Sequence, residues 1–171
     1  MTDSARALHA TQLTPDEVER ILRVCGTDAL LVGGQALAAW AVHYDIQPIG
    51  ELSRAVTMDV DFIGTSDVAH ALQRSLGQPW KLRKGTLDDV GGQVAKVYAK
   101  TMDGIKQVDF LSGIVGLDTE VVCKRATEVT LPDGVAVNVL HPLDVLESRL
   151  RNLDSIPAKR DATGVAQARL A

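Results

Sequence analysis

Three aspartates occupy positions where aspartate is poorly suited. Asp59 and Asp61 stand two apart in Thr57-Met58-Asp59-Val60-Asp61-Phe62-Ile63, which alternates like a strand. The two carboxylates therefore share one face, and Met58, Val60 and Phe62 share the other. Aspartate is depleted in strands, and two like charges on one face repel, so something must offset that cost. Asp109 repeats the pattern between Val108 and Phe110 of a second apolar stretch, residues 107–111. If the two strands neighbour each other in register, three carboxylates converge on one patch. A pair of divalent hard cations is the natural neutraliser, because Mg²⁺ prefers carboxylate and phosphate oxygens. Taken alone, Asp-x-Asp on an edge strand is ordinary solvated surface; the third aspartate with the same flanks weighs against that reading.

Upstream, Gly33-Gly34 follows the apolar run Ala29-Leu30-Leu31-Val32 and opens an alanine-rich segment, residues 35–44. Glycine allows close backbone approach, and the N–H groups of a helix start favour an anion such as a phosphate. The pair lacks the Lys-Ser/Thr of a P-loop and the third glycine of a dinucleotide fingerprint. A phosphate cradle joined to three carboxylates is the equipment of metal-dependent nucleotidyl transfer.

These residues need elements to hold them. Thr14-Pro15-Asp16-Glu17 is a capping box that opens a helix ending at Gly26. A buried strand over 29–32, the helix over 35–44, a loop over 45–55 and the Asp-x-Asp strand follow. Ser66 caps a helix ending at Gly77. Strands are expected over 81–84, 94–100 and 107–111, then a hairpin around Pro132-Asp133-Gly134. His141-Pro142-Leu143 opens a helix through Leu153, and a last short helix follows Pro157. The order predicts an α+β fold, α/β-like, around a mixed sheet. We expect a single domain over 1–171, with 1–13 flexible and 141–171 a C-terminal helical segment.

Leu31-Val32-Gly33-Gly34-Gln35-Ala36-Leu37, then Arg54, then Thr57-Met58-Asp59-Val60-Asp61-Phe62, then Val108-Asp109-Phe110-Leu111, resemble the polymerase-β-type nucleotidyltransferase superfamily. His141-Pro142-Leu143-Asp144 and Lys159-Arg160-Asp161 are similar to the tail of its abortive-infection toxin branch. The resemblance spans residues 29–161. It implies the nucleotidyltransferase fold, with Asp59 and Asp61 binding two Mg²⁺ and Asp109 completing one metal site. Gly33, Gly34 and Gln35, with Lys106, are expected to take a nucleoside triphosphate such as ATP. One metal would activate an acceptor hydroxyl, with Asp109 accepting its proton. The other would neutralise the triphosphate, and pyrophosphate would leave. The chain departs from the pattern twice: residues 46–55 look like an insertion, and Gly164 stands where the tail usually repeats an acidic residue.

The bulk numbers set bounds. The chain has 171 residues, 46% of them apolar, with 18 basic and 22 acidic side chains and a net charge of −4. A disordered chain is excluded, and no window approaches the roughly 18 apolar residues of a membrane span. The N-terminus carries no apolar signal core, so a cytoplasmic protein is expected. Mild acidity argues against binding nucleic acid by charge alone, and two each of Trp, Tyr and Phe argue against a multi-base stacking platform. Lys81, Arg83, Lys84, Lys96, Lys100 and Lys106 give a local basic excess, read as a solvated face or as a surface for triphosphate or an RNA backbone. Regular alternation puts Lys106 on the strand face opposite Asp109. His43 and His70 read as surface or cap residues, His141 as a cap. Cys25 and Cys123 read as buried, and Asp144 and Glu147 as a solvated helix face.

The expected function is Mg²⁺-dependent transfer of NMP from an NTP to a hydroxyl of an RNA end such as tRNA, a protein or a small molecule. The alternative is a non-catalytic nucleotide-binding or interaction module that keeps the fold, an antitoxin-like chain with a partner protein. A plain structural domain would hold the three aspartates apart.

Overall fold

The computed structural model describes residues 10–46, 59–86, 89, 92–157 and 160–171. Helix α1 (Pro15–Cys25) opens on the expected capping box. The Glu17 backbone N–H donates to Thr14 Oγ1 at 3.3 Å, and the Thr14 N–H donates to Glu17 Oε2 at 2.8 Å. Two donors that a helix start leaves open are thereby satisfied. Ile21, Leu22 and Cys25 form its buried stripe, and Gly26 ends it at a positive φ of 43°.

The remaining elements are β1 (Leu30–Val32), α2 (Gly33–His43), β2 (Val60–Ile63), α3 (Ser66–Leu76), β3 (Lys81–Lys84), β4 (Gln93–Lys100), β5 (Ile105–Leu111), α4 (Thr119–Arg125), β6 (Thr127–Thr130), β7 (Ala136–Val139), α5 (Pro142–Ser155) and α6 (Ala162–Leu170). The strands form one mixed sheet in the order β3-β4-β5-β2-β1-β7-β6. The β2–β5 and β1–β7 pairs are parallel, and the other pairs are antiparallel. This is the expected α+β architecture, a mixed sheet flanked by helices with two helices at the C-terminal end.

Val60, Phe62, Val108 and Phe110 are fully buried, and the two phenylalanine rings stack at 5.6 Å. Burying each such side chain contributes roughly 1.5–3 kcal/mol. Helix α3 packs against β3 and β4 and against α1. Lys106 Nζ stands 2.7 Å from Glu17 Oε2 and ties β5 to α1. Burial works to raise the Glu17 pKa, but the hydrogen bonds from Lys106 and Thr14 outweigh it and hold the carboxyl below its usual range.

Several expectations need correction. Residues 10–13 are tied down: Ala10 bridges Ile105, the Thr11 N–H donates to the Ile105 carbonyl at 2.8 Å, and Leu13 is 5% exposed. Thr65, not Ser66, caps α3 by accepting from the Val68 N–H. Helix α4 was unanticipated because 7 residues are too few to display a period; its signals are the Asp118 cap and Lys124-Arg125 in the last turn. Cys25 is buried as expected, whereas Cys123 is exposed. Asp144 does not solvate a helix face. It is 3% exposed and sits 3.1 Å from Arg125. Glu147 is exposed, paired with Arg151. His141 is a cap, its Nδ1 accepting from the Leu143 N–H. Of the expected insertion only Ile46 is described, and Arg54, Thr57, Met58 and Lys159 lie outside the described residues. Among the described residues no helix is long and apolar enough to cross a membrane.

Removing the cap with Thr14→Ala should cost about 1 kcal/mol in a urea melt. Glu17 has a folded pKa below its unfolded one, so its charge stabilises above about pH 4.5 and that contribution is lost as pH falls through the folded pKa. Glu17→Gln should therefore destabilise more at about pH 7 than at about pH 3. Equal losses at both would mean the Lys106 pair contributes nothing through charge.

Candidate functional site

The sheet register builds the site. On the parallel pair β2–β5, Asp61 and Asp109 are direct partners, so their side chains share the face opposite Phe62 and Phe110. The same row continues outward. Val32 of β1 partners Asp61, Lys96 of β4 partners Asp109, and Arg83 of β3 partners Lys96. Asp59 immediately precedes β2, near enough that its charge acts on Asp109. The register thus puts Asp61 and Asp109 side by side on one face of the sheet, with Asp59 within electrostatic reach of Asp109.

Glycine is required where β1 becomes α2. Gly33 has φ +70°, and a Cβ there would collide with Asp61 Oδ2. The start of α2 consequently lies directly beside the Asp61 carboxylate, and Val32 supplies no side-chain cap to it. Gly34 is buried behind it. Gln35 lines a different hollow, with Leu22 of α1 and Leu131. Lys106 points away from the aspartates, on the other side of β5, engaged with Glu17. The structure therefore brings Gly33 against Asp61 and leaves Gln35 and Lys106 apart from that carboxylate.

Asp109 is well supported. Its side chain is 13% exposed, with Lys96 Nζ 3.3 Å from Oδ1. Gln93 Nε2 donates to Oδ1, and Gln107 Nε2 donates to Oδ2 at 3.3 Å. Lys96 also donates to Gln107 Oε1 at 3.1 Å. Burial pushes the Asp109 pKa up; Lys96 opposes this, Asp59 adds to it, and the net position is above the usual carboxylate value.

The second cation is Arg149 of α5, which the sequence reading passed over. It is 8% exposed, donates from Nη1 to Gln167 Oε1 at 2.8 Å, and has no hydrogen-bond partner for Nε among the described residues. Burial lowers its pKa and the nearby Asp61 raises it. Arg149 and Asp61 line one cleft of about 230 Å³, together with Gly33, Ser148 and Asn152. A signal for it exists: Val145, Ser148, Arg149 and Asn152 recur at helical spacing, which puts an arginine on the inward stripe.

The repulsion among the aspartates is therefore offset first by the protein's own Lys96 and Arg149. Among the described residues no three His, Cys, Asp or Glu side chains stand close enough to hold one ion, and Asp109 is engaged by Lys96. Mg²⁺ is commonly held by one or two carboxylates, with water and substrate phosphate completing the shell. In chemistry, the carboxylates of Asp59 and Asp61 would match such a donor set. A cage of three carboxylates is not what this arrangement offers.

Of the other basic residues, Arg83 is held by Asp89 through hydrogen bonds of 3.1 and 2.9 Å. The hydrogen bond from Arg83 holds the Asp89 carboxyl down at about 2.

No protein-family model and no curated protein matches the sequence. Among solved structures, a candidate nucleotidyltransferase from H. pylori superposes with a TM-score of 0.45 at 13% identity, over 79% of this chain and 55% of that one. The protein JHP933 from Helicobacter pylori gives 0.40 at 13% identity, over 79% and 53%. This chain spans little more than half the length of either.

Gly33→Ala should destabilise by roughly 1–3 kcal/mol, from the positive φ and the displaced carboxylate together. For Asp109 the sign runs opposite to that for Glu17. A carboxyl whose folded pKa is raised costs stability as pH rises from its unfolded pKa through the folded one. Lys96→Met removes the opposing cation, so it should destabilise more at about pH 7 than at about pH 4, with the Asp109 carboxyl titrating higher by carbon-13 NMR. Asp109→Asn in the same background should remove that pH dependence.

Proposed function

We propose that this chain is a Mg²⁺-dependent nucleotidyltransferase that moves NMP from an NTP to an acceptor hydroxyl. The observation that carries the reading is the in-register pair Asp61–Asp109 beside the Gly33 helix start, with buried Arg149 facing Asp61 across a cleft. That combination sets carboxylates for a metal against two separate anion-binding elements, the α2 N-terminus and a guanidinium.

Asp59 and Asp61 would hold the metal. When bound, it would neutralise triphosphate charge and make the acceptor hydroxyl more acidic. The chain's own residues do the rest. Arg149 offers Nε to a phosphate oxygen in a charge-assisted hydrogen bond, and Gln167 fixes the plane of its guanidinium. The Gly33 turn lets a phosphate approach the backbone N–H groups of α2. Asp109, with its raised pKa, is suited to take the hydroxyl proton, and Lys96 and Gln107 hold its orientation. The acceptor oxygen bonds to the α-phosphorus, the bond to the β-phosphate oxygen breaks, and pyrophosphate departs. An RNA end, a protein side chain or a small alcohol could each supply that hydroxyl.

One observation favours a second reading. The Lys96–Asp109 pair occupies the carboxylate that the resemblance assigns to a metal, as a non-catalytic nucleotide-binding module with a protein partner would permit.

The test is transfer of labelled nucleotide from each of the four NTPs to total RNA and cell protein. Asp59→Ala with Asp61→Ala should abolish transfer, and activity like wild type in that double variant would end the enzymatic reading. Arg149→Met should lower kcat/KM by about 10- to 100-fold. In titration calorimetry, Mg²⁺-dependent NTP binding without turnover would support the module, and no binding would remove both readings.

A further inference from the structure

The hollow beside Gln35 is wider than the cleft at Asp61 and separate from it. It encloses about 490 Å³ against about 230 Å³, and no residue lines both. That volume falls within the roughly 300–1,000 Å³ of small-molecule sites. Helical spacing makes two of its walls. Pro15, Val18 and Leu22 stand on one face of α1, and Gln35 and Val42 stand seven apart on α2. Helix α1 is seated on α3 and β7, and α2 on β1, β2 and α5, so each wall is held from behind. The third wall is the hairpin tip at Leu131 and Pro132. There the Gly134 N–H donates to the Leu131 carbonyl at 2.8 Å, and the Leu131 N–H donates to the Val135 carbonyl at 2.9 Å.

The walls are mainly apolar, and the two charged residues among them are both acidic, Glu19 and Asp133. They share one cation: Arg23 Nη2 stands 2.8 Å from Glu19 Oε1 and 3.8 Å from Asp133 Oδ2. One guanidinium against two carboxylates leaves a surplus negative charge beside apolar walls. The Arg23 side chain is 56% exposed, where an ion pair contributes little. A second cation can therefore join the carboxylates without displacing a buried partner. We propose that this hollow binds a small amphipathic cation, an apolar body with an amine head. The body would lie against Val18, Leu22, Val42 and Leu131, and the ammonium at Glu19 and Asp133. A carboxylate ligand of the same shape meets that surplus charge as repulsion, and a neutral one leaves it uncompensated. Binding is non-covalent and does not depend on the nucleotidyltransferase reading.

The test uses octylamine, with octanoate as the same chain bearing the opposite charge, titrated into the full chain at about pH 7 and followed by methyl NMR. Octylamine should give saturable shifts at the methyls of Leu13, Val18, Val42 and Leu131 and bind about tenfold more tightly than octanoate. Val42→Trp, at a position 53% exposed on α2, should abolish the shifts at Leu13, Val18 and Leu131 by occupying the hollow. Glu19→Gln with Asp133→Asn should abolish the preference for the amine. The asparagine keeps an oxygen for the Val135 N–H, which donates to Asp133 Oδ1 at 3.2 Å. Circular dichroism melts establish that each variant is folded. The aspartates of the cleft also attract amines, so Asp59→Ala with Asp61→Ala should leave the shifts at the hollow unchanged. Shifts confined to Ile114 and Val115 of the cleft, equal affinity for octylamine and octanoate, or an amine preference that survives the double neutralisation would each overturn the proposal. So would a concentration-dependent rise in mass by sedimentation that Val42→Glu removes, since the hollow would then be a contact between two copies of this chain.

Discussion

Two carboxylates held side by side on adjacent parallel strands are the constraint around which the rest of this molecule is arranged. Strands lie about 4.8 Å apart, and like charges on neighbouring strands of one face repel unless cations or water come between them. The Cα atoms of Asp61 and Asp109 are register partners, and the charge of Asp59 adds to the load on Asp109. The protein meets the problem from two directions. Lys96 comes from the neighbouring strand onto Asp109, and Arg149 comes from a helix toward Asp61. Gly33 completes the arrangement by omission, since any side chain there would occupy the space of the Asp61 carboxylate.

Each compensating group depends on a different part of the fold. Lys96 is delivered by the β4–β5 hairpin, whose register places it opposite Asp109, and a register shift between Gln93 and Ala95 interrupts the pairing just beyond. Arg149 depends on where α5 sits. The Trp40 indole N–H donates to the Leu140 carbonyl at 2.8 Å, Arg125 of α4 pairs with buried Asp144, and Gln167 of α6 holds the guanidinium itself. The C-terminal helices therefore build one wall of the candidate site, α5 lining the cleft and α6 holding Arg149. Removing a single partner from a buried charge is expensive, because the remaining group keeps its desolvation cost. Buried Asp144, paired with Arg125, and buried Arg149, beside Asp61, are both subject to that effect.

What was legible in the sequence follows the range of the interactions. Local signals are legible: the capping box at Thr14 and Glu17, the alternation of Val60, Asp61 and Phe62, and the turns at Gly26 and Gly77 all involve neighbours a few residues apart. Asp59, expected in the same strand, lies just before it. The in-register meeting of Asp61 and Asp109 was legible only as a condition, since strand order depends on long-range pairing. Lys96 appeared as one of several surface bases because its partner lies 13 positions away and on another strand. Asp144 was misread as solvent-facing for the same reason, its partner being Arg125 of another helix. Arg149 could have been found from helical spacing, but nothing local says which carboxylate an inward arginine faces. Lys106 shows the reverse case: its alternation parity already placed it away from Asp109, and proximity in sequence was the weaker guide.

The charge pattern of the finished face differs in kind from the bulk charge of the chain. A net charge of −4 suggests weak repulsion of any polyanion, yet the row across the sheet reads Asp61, Asp109, Lys96, Arg83 from centre to edge. A phosphate approaching along β3 and β4 meets cations first and carboxylates last. At physiological ionic strength charges beyond about 8 Å are largely screened, so this local order, and not the chain total, governs what the face attracts. The carboxylates then repel a polyanion just where its phosphates would have to pass, unless cations intervene. Lys96 does so for Asp109 and Arg149 for Asp61. Asp59 adds a third carboxylate to these two protein cations, and in the proposed reaction that excess of acid is what a divalent ion would offset beside a triphosphate.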